Sequence, residues 1–308
     1  MRLVSKTILR YKTGGNQLSL VADFYRKHMP IKLRYRIGKM RTASSEKRAF
    51  QRVQAGEWDE AYAAECAYMK DMGHIRTIPY KWTEDYIPDD IKVYREQASG
   101  MPYVVLGEKK LFFPKRYPDS YVRIYYNSIL CEQDPRSPHY YFDSADPRLL
   151  DTTFVDVGGA EGYVSLNVIE QAKEIIILES DSDWIEALNK TFEPYKNKVS
   201  IVNKYASDCS GGDYIKLDDL LGNSDNIVLK LDVEGSEESV LKGASKTLEK
   251  SDTKVFVCTY HRPDDQTELV DFLKSYNFDV ELSEGYMFYG GEDISFRKTM
   301  ARGWRKFG

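Results

Sequence analysis

The chain has 308 residues, of which 42% are hydrophobic, 13% aromatic and 30% charged. That composition belongs to a globular protein able to bury a sizeable core, and it excludes disorder as the dominant state. A mean hydropathy of −0.53 and a longest aliphatic run of only Ile175 to Leu178 fall far short of the roughly 20 apolar residues of a membrane span.

Met1 to Gly15 lacks the apolar stretch of a secretory signal, so the expectation is a cytoplasmic protein. Cys66, Cys131, Cys209 and Cys258 form no C-x-x-C pair, which suggests neither a zinc site nor a disulfide framework but reduced thiols. Residues 1–50 carry 13 Lys or Arg against Asp23 and Glu46, a net +11, and the remainder is net −15. A basic arm on an acidic body can contact the inner membrane face, an acidic glycan or nucleic acid; equally, it can dock on that body.

The length allows two domains, or one with an extension. Residues 1–50 read as a basic arm, 51–150 as a helical and β-hairpin region covering substrate, and 151–308 as a cofactor-binding domain. In the arm, Ile31, Leu33, Tyr35 and Ile37 alternate with Lys32, Arg34 and Arg36, the period of a strand or extended segment. Ser44 to Met72 reads as one helix stopped by Gly73. Tyr103-Val-Val-Leu106 and Leu111-Phe-Phe113, separated by Gly107 to Lys110, form a hairpin signature. Tyr121 to Cys131 has helical spacing, and Gln133 to His139 is turn chemistry.

From Thr152 strands alternate with helical patterns. Phe154 to Val157, Glu174 to Leu178, Val199 to Val202, Ile227 to Leu231 and Lys254 to Cys258 are short apolar runs, as strands buried on both faces of a parallel sheet require. Between them lie helical stretches at Tyr163 to Gln171, Asp183 to Tyr195, Ser236 to Lys250 and Gln266 to Tyr276. Phe278 to Tyr289 and Ser295 to Arg305 read as a final antiparallel pair. The pattern predicts a doubly wound α/β sheet with its ligand at the carboxyl ends of the strands.

Three motifs fall at those ends. Val155-Asp-Val-Gly-Gly-Ala-Glu-Gly-Tyr163 is a strand, a glycine turn and a helix start, able to cradle a ligand against free N–H groups. A dinucleotide loop would need glycine at Val157, and Asp156 suits a cationic amino-acid ligand better than a pyrophosphate. In Leu178-Glu179-Ser180-Asp181, Glu179 stands where a carboxylate can accept both ribose hydroxyls, and Asp181 can cap the next helix. In Leu229-Lys-Leu-Asp-Val-Glu-Gly-Ser-Glu237, Lys230 and Asp232 share one face of an otherwise apolar strand, and charge in such a place marks a site. Glu237 reads as a first-turn helix acid.

These motifs, with Val240-Leu-Lys-Gly-Ala244, resemble the FkbM family of S-adenosylmethionine-dependent methyltransferases over roughly residues 150–290. The resemblance implies a Rossmann-like class I fold with a seven-stranded sheet whose last strand is antiparallel, S-adenosyl-L-methionine as cofactor, and O-methylation of a hydroxyl, commonly on a sugar. Leu111-Phe-Phe-Pro114 and Glu132 to His139 resemble members linked to bacterial surface-glycan synthesis. By the same resemblance Asp156, Gly158, Gly159 and Gly162 form the methionine loop, and Glu179, with Ser180 in place of the usual proline, holds the ribose. Ala206, Ser207 and Asp208 lie by the adenine, and Asp232 and Glu234 face the methionine end and the acceptor. Cys258-Thr-Tyr-His261 keeps the family's histidine but not the acid before it.

Tyr163 is an aromatic candidate beside the sulfonium. His261 is the favoured general base and Asp232 its rival. A metal at Asp232, Glu234 and Glu237 is disfavoured, and none is expected. His139 and the tyrosines at 121, 125, 126, 140 and 141 can line an acceptor pocket or fill the core. The competing readings are a nicotinamide-dependent oxidoreductase or epimerase, and a non-catalytic glycan-binding protein that keeps the fold. A nucleic-acid methyltransferase is disfavoured, because Asp232-Val-Glu-Gly235 replaces the Asn/Asp-Pro-Pro-aromatic motif of base methylation, so no nucleic-acid partner is expected.

Overall fold

A computed structural model describes residues 45–143, 145–250, 252–289 and 294–305. The alternating stretch at 31–37 and most of the basic arm therefore lie outside the described residues. Among the described residues no helix is long and apolar enough to cross a membrane.

Seven strands form the central sheet: β4 (Thr153–Val157), β5 (Glu174–Leu178), β6 (Val199–Val202), β9 (Ile227–Leu231), β10 (Lys254–Cys258), β11 (Phe278–Leu282) and β14 (Met300–Arg305). Their order is β6-β5-β4-β9-β10-β14-β11. The first five are mutually parallel, whereas β14 runs antiparallel to both β10 and β11. This is the expected doubly wound sheet with an antiparallel last strand. The chain leaves β4 for β5 on one side and returns to place β9 on the other, so the switch point lies between β4 and β9, where a crevice opens at the carboxyl ends.

Every residue of β4 and β9 is buried, as their continuous apolar runs predict. Alternation sorts their side chains to opposite faces. Val155, Val157, Leu229 and Leu231 pack with Val240, Leu241, Leu248, Leu269 and Leu273. Phe154 and Val228 pack instead with Val104, Leu111, Phe113, Val122 and Ile129 of the front half. Asp156 and Lys230 have the parity of Phe154 and Val228, so they face the front half, and the register sets them side by side.

The front half holds a small sheet of β1 (Tyr94–Arg95), β2 (Pro102–Leu106) and β3 (Lys109–Phe112). The expected hairpin is present, but Leu106 pairs with Lys109, so Lys109 and Lys110 join the second strand and the turn, with Gly107 at φ 61, has two residues rather than four; β1 was not foreseen. The helix Asp119–Glu132, α3, contains the expected Tyr121 to Cys131 stretch.

Several elements depart from expectation. The helix foreseen over Ser44 to Met72 is two, α1 at 45–54 and α2 (Ala63–Met72). Gly56 at φ 78 breaks it, so that Ala49 and Val53 from one piece and Cys66 and Met69 from the other meet Phe288 and Phe296 together. The helix after β4, α4 (Tyr163–Asn167), ends four residues early. α5 (Ser182–Thr191) gives way to a 3₁₀ turn at Glu193–Tyr195, where Pro194 removes a backbone donor. The helix expected over Ser236 to Lys250 divides into α7 (Glu237–Lys242) and α8 (Ser245–Leu248), which follow α6 (Leu217–Leu221). α9 (Asp265–Ser275) follows β10.

The last two expected strands are four. Gly285 at φ 70 turns the chain after β11, and β12 (Met287–Tyr289) pairs with β13 (Ser295–Arg297) away from the main sheet. A two-stranded parallel ladder, β7 (Tyr205–Ala206) with β8 (Tyr214–Ile215), follows β6.

The loop after β7 is held by close backbone approach. A Cβ on Gly243 would stand 1.9 Å from the carbonyl oxygen of Ser207, and backbone cannot yield there as a flexible side chain can. Gly243→Ala should therefore cost roughly 1–3 kcal/mol, read as a lower urea midpoint with an unchanged m-value. An unchanged midpoint would show that this loop is not packed as described.

Candidate active site

The site begins with a charge pair between neighbouring strands. Lys230 Nζ lies 2.8 Å from Asp156 Oδ1, with both side chains buried, and donates to the Gly158 carbonyl at 2.8 Å. Asp156 also accepts from the Ser165 hydroxyl at 2.7 Å, which ties β4 to α4. Burial alone would lower the Lys230 pKa, but Asp156 and Asp232 outweigh it and keep the ammonium charged.

The glycine loop packs on the end of β9. A Cβ on Gly158, which has φ 78, would fall 2.0 Å from the Asp232 carbonyl oxygen, and one on Gly159 would fall 2.3 Å from Ile177 Cγ2. Gly162 caps α4 in the left-handed conformation. Glu179 accepts from Ala160 N–H at 3.0 Å and from the N–H groups of Ser180 and Asp181 at 2.7 and 2.8 Å. These bonds fix the acid of the second strand against the loop. Asp181 caps α5 through Asp183 N–H, as its position suggested.

Asp232 stands just beyond β9, with a ring of donors around it. Its Oδ2 accepts from Tyr141 at 3.0 Å and its Oδ1 from Tyr260 at 3.2 Å. His261 Nε2 lies 3.4 Å from Oδ1, and His139 Nε2 lies 3.8 Å from Oδ2. Burial would raise the Asp232 pKa, but Lys230, the two histidines and Tyr141 bring it below the ordinary value, so the group is a carboxylate. His139 is pushed down to about 4 by burial, against the pull of Asp232, and is neutral. Behind His261 lies Glu237, fully buried, with Oε1 2.9 Å from Nδ1.

A cavity of about 230 Å³ lies between this floor and α3. Gly158, Gly159, Ala160, Glu161, Lys230, Asp232 and Glu234 face it from the sheet, while Tyr125, Glu132, His139, Tyr141 and Tyr260 close it. Burial, with Asp232 and Glu161 nearby, raises Glu132 to about 8. Its place at the carboxyl-terminal end of α3 adds the negative pole of the helix to the same side of the balance. Burial likewise lifts Glu161 to about 7, although Tyr125 donates to it at 3.1 Å. Ala160 at φ 43 and Glu234 at φ 56, both lining the cavity, are non-glycine residues in left-handed backbone, conformations that persist only where their surroundings impose them.

Thus Gly158, Gly159, Asp232 and Glu234 come together at the cavity, and Asp156, Glu179 and His261 attach to it through Lys230, Ala160 and Asp232. Tyr163 does not line it; its ring lies edge-on to Tyr126, 6.1 Å away, beside the core. Ala206, Ser207 and Asp208 do not line it, and Ser207 and Asp208 are held to α7 by Ser239. Glu132 opened the segment that resembles surface-glycan members and Glu161 lay inside the glycine motif, but neither was singled out as a site residue, because only the tertiary setting distinguishes them. Among the described residues, two groups have metal-ligand atoms within 4.8 Å of one another, His139 with Asp232 and Cys258, and Asp232 with Glu237 and His261. Both share Asp232, whose oxygens already accept from tyrosine hydroxyls.

Comparison with known proteins gives a family match and several structural similarities. The family model for the methyltransferase FkbM domain matches residues 124–280, just over half of the chain. No curated protein matches. Among solved structures, a methyltransferase FkbM from Methylobacillus flagellatus is similar at 18% identity and a TM-score of 0.43, over 60% of this chain and 53% of its own. The chain therefore spans about half the length of that protein. A precorrin-6y C5,15-methyltransferase from Geobacter metallireducens is 19% identical over 53% of this chain and 86% of its own, with a TM-score of 0.39. A putative methyltransferase from Streptococcus mutans, in complex with SAH, is 12% identical over 51% and 92%, with a TM-score of 0.36. With the glycine loop and the Asp232 motif both lying within the matched residues, the chain belongs to the FkbM family of methyltransferases.

Proposed function

We propose that this methyltransferase uses S-adenosyl-L-methionine to methylate a hydroxyl of a neutral polyol, a sugar of a bacterial surface glycan or its precursor. The observation that carries the proposal is the ionised Asp232 at the carboxyl end of β9, facing the cavity beside the glycine loop and backed by His261. Membership of the family agrees with it.

The donor set fits such a cofactor. Asp232, Glu132, Glu161 and Glu234 face the cavity, and Lys230, the one lysine lining it among the described residues, is committed to Asp156 and Gly158. The surplus of carboxyls suits a sulfonium and an ammonium, not a pyrophosphate. Glu179 has two oxygens with about four acceptor positions, three of them used by backbone N–H groups, so capacity remains for a ribose hydroxyl. When bound, S-adenosyl-L-methionine supplies an electrophilic methyl group on a positively charged sulfur.

The chain's own residues do the rest. Tyr141 and Tyr260 orient the Asp232 carboxylate, which accepts a hydrogen bond from the acceptor hydroxyl and fixes its oxygen for in-line attack. The proton passes through Asp232 to His261 Nε2, the more basic of the two, since the Asp232 pKa is lowered and that of His261 raised. Sequence reasoning placed His261 against the acceptor; in the structure Asp232 lines the cavity and His261 stands behind it. The tyrosine faces and carboxyls offer a sugar both stacking and hydroxyl recognition.

Calorimetric titration should show binding of S-adenosyl-L-methionine but not NAD, weakened at least tenfold in Glu179→Ala. A preference for NAD would overturn the cofactor assignment. Because Glu161 and Glu132 ionise near 7 and 8, a cation entering the cavity must displace protons. Affinity should rise several-fold between pH 6 and 9, with proton release visible when buffers of different ionisation enthalpy are compared; equal enthalpies would refute this.

The same carboxyls cost stability. With its folded pKa raised, Glu132 remains protonated in the folded chain while the unfolded chain ionises, so stability falls as pH rises from about 4.5 to about 8. Glu132→Gln should leave the Tm nearly unchanged at pH 4 and raise it at pH 9, by roughly 2–4 °C per kcal/mol recovered.

A further inference from the structure

We propose that Glu237 is the positioning residue of this site: its buried carboxylate holds the His261 ring with Nδ1 protonated, leaving Nε2 as a free lone pair against Asp232. The inference rests on the proton route through Asp232 and His261 and deepens it.

A neutral imidazole carries one proton, and which nitrogen holds it follows from the stronger acceptor. On one side Glu237, from the first turn of α7, has no exposed surface and places Oε1 2.9 Å from Nδ1. Its own carboxylate is fixed by Val233 N–H at 2.9 Å. On the other side Asp232 Oδ1 is 3.4 Å from Nε2, longer than a normal hydrogen bond, and its charge is spread over Tyr141, Tyr260 and the nearby Lys230. Glu234 Oε2 is 3.9 Å from Nε2, on a side chain 90% exposed, where water screens it. Distance, burial and competition all assign the proton to Nδ1. Nδ1 is buried and makes no other hydrogen bond, so Glu237, 2.9 Å away, is the acceptor within its reach.

The remaining neighbours do not reverse this. The Tyr260 ring packs at 4.1 Å, His139 is neutral, and Arg297 meets His261 at its backbone carbonyl. With Glu237 favouring the charged ring, the His261 pKa is raised although burial opposes it. The sequence reading of Glu237 as a helix first-turn acid accounts for the bond to Val233 but predicts no effect on His261.

The test needs no acceptor. The chain has four histidines, so their ring nitrogens can be followed by two-dimensional ¹H–¹⁵N correlation across pH, with His261 identified by the signal lost in His261→Gln. In the wild-type protein neutral His261 should show a protonated Nδ1 and bare Nε2, with a pKa above 6.5. Glu237→Gln keeps a carbonyl acceptor and removes the charge, so the tautomer should persist while the proton affinity falls at least tenfold. Glu237→Leu should release the tautomer as well. Should either variant not fold, the wild-type tautomer still decides: a protonated Nε2 overturns the proposal, as does a folded Glu237→Gln with unchanged proton affinity. Calorimetry with S-adenosyl-L-methionine on the same samples separates the two claims, because loss of cofactor binding in the wild type would sink the proposed function and leave the ring assignment standing.

Discussion

The buried pair of Lys230 and Asp156 is the interaction on which the site depends. Taking two charges out of water costs several kcal/mol each, and well-packed apolar residues in their place would commonly be no less stable. Here the pair has a further task. The ammonium reaches the Gly158 carbonyl as well as Asp156, so β9 grips the loop that leaves β4. It also keeps Asp232, two residues farther along the same face, ionised despite its burial. Removing either partner would leave the other buried and uncompensated, a loss of about 3–5 kcal/mol, and would release the loop and the carboxylate together.

Strand alternation then decides where the cavity lies. Phe154, Asp156, Val228 and Lys230 all point to the face covered by the hairpin and α3, while the intervening residues point to α7, α8 and α9. The front half is therefore joined to the sheet by one continuous core, in which burial of a side chain such as Phe154 or Phe113 is worth roughly 1.5–3 kcal/mol. Its helix α3 delivers Tyr125 and Glu132 to the carboxyl ends of the strands. A reversed parity would have put Lys230 and Asp156 under α7, away from the cavity.

How much of this was legible follows from range. The five parallel strands could be read because burial on both faces writes an uninterrupted apolar run into the sequence. The helix ends and the last hairpins could not, because Gly56, Gly243 and Gly285 interrupt patterns that apolar spacing alone would continue. In the site, Asp156, the glycines and Asp232 announced themselves as charge or glycine where apolar strands end. Glu132, Tyr260 and the pairing of Glu237 with His261 did not. A glutamate that closes one helix and a glutamate that opens another both resemble solvated helix acids, until the fold puts the former into a cavity and the latter against an imidazole.

The ionisable groups of the cavity are separated by what each one faces. Asp232 has an ammonium, two tyrosine hydroxyls and two imidazoles, and stays a carboxylate; Glu132 is buried, with Asp232 and Glu161 near it, and holds its proton to about 8. Environments that drive like groups apart in this way divide acid from base within one site. In the proposed reaction an ionised Asp232 receives the hydroxyl proton, and Lys230, the two histidines and Tyr141 hold that charge on it against burial. Were Glu132 and Glu161 fully ionised as well in a ligand-free cavity, their mutual repulsion would raise the Asp232 pKa too. The protonated carboxyls thus act as a reserve of negative charge, released when a cation enters and withdrawn when it leaves.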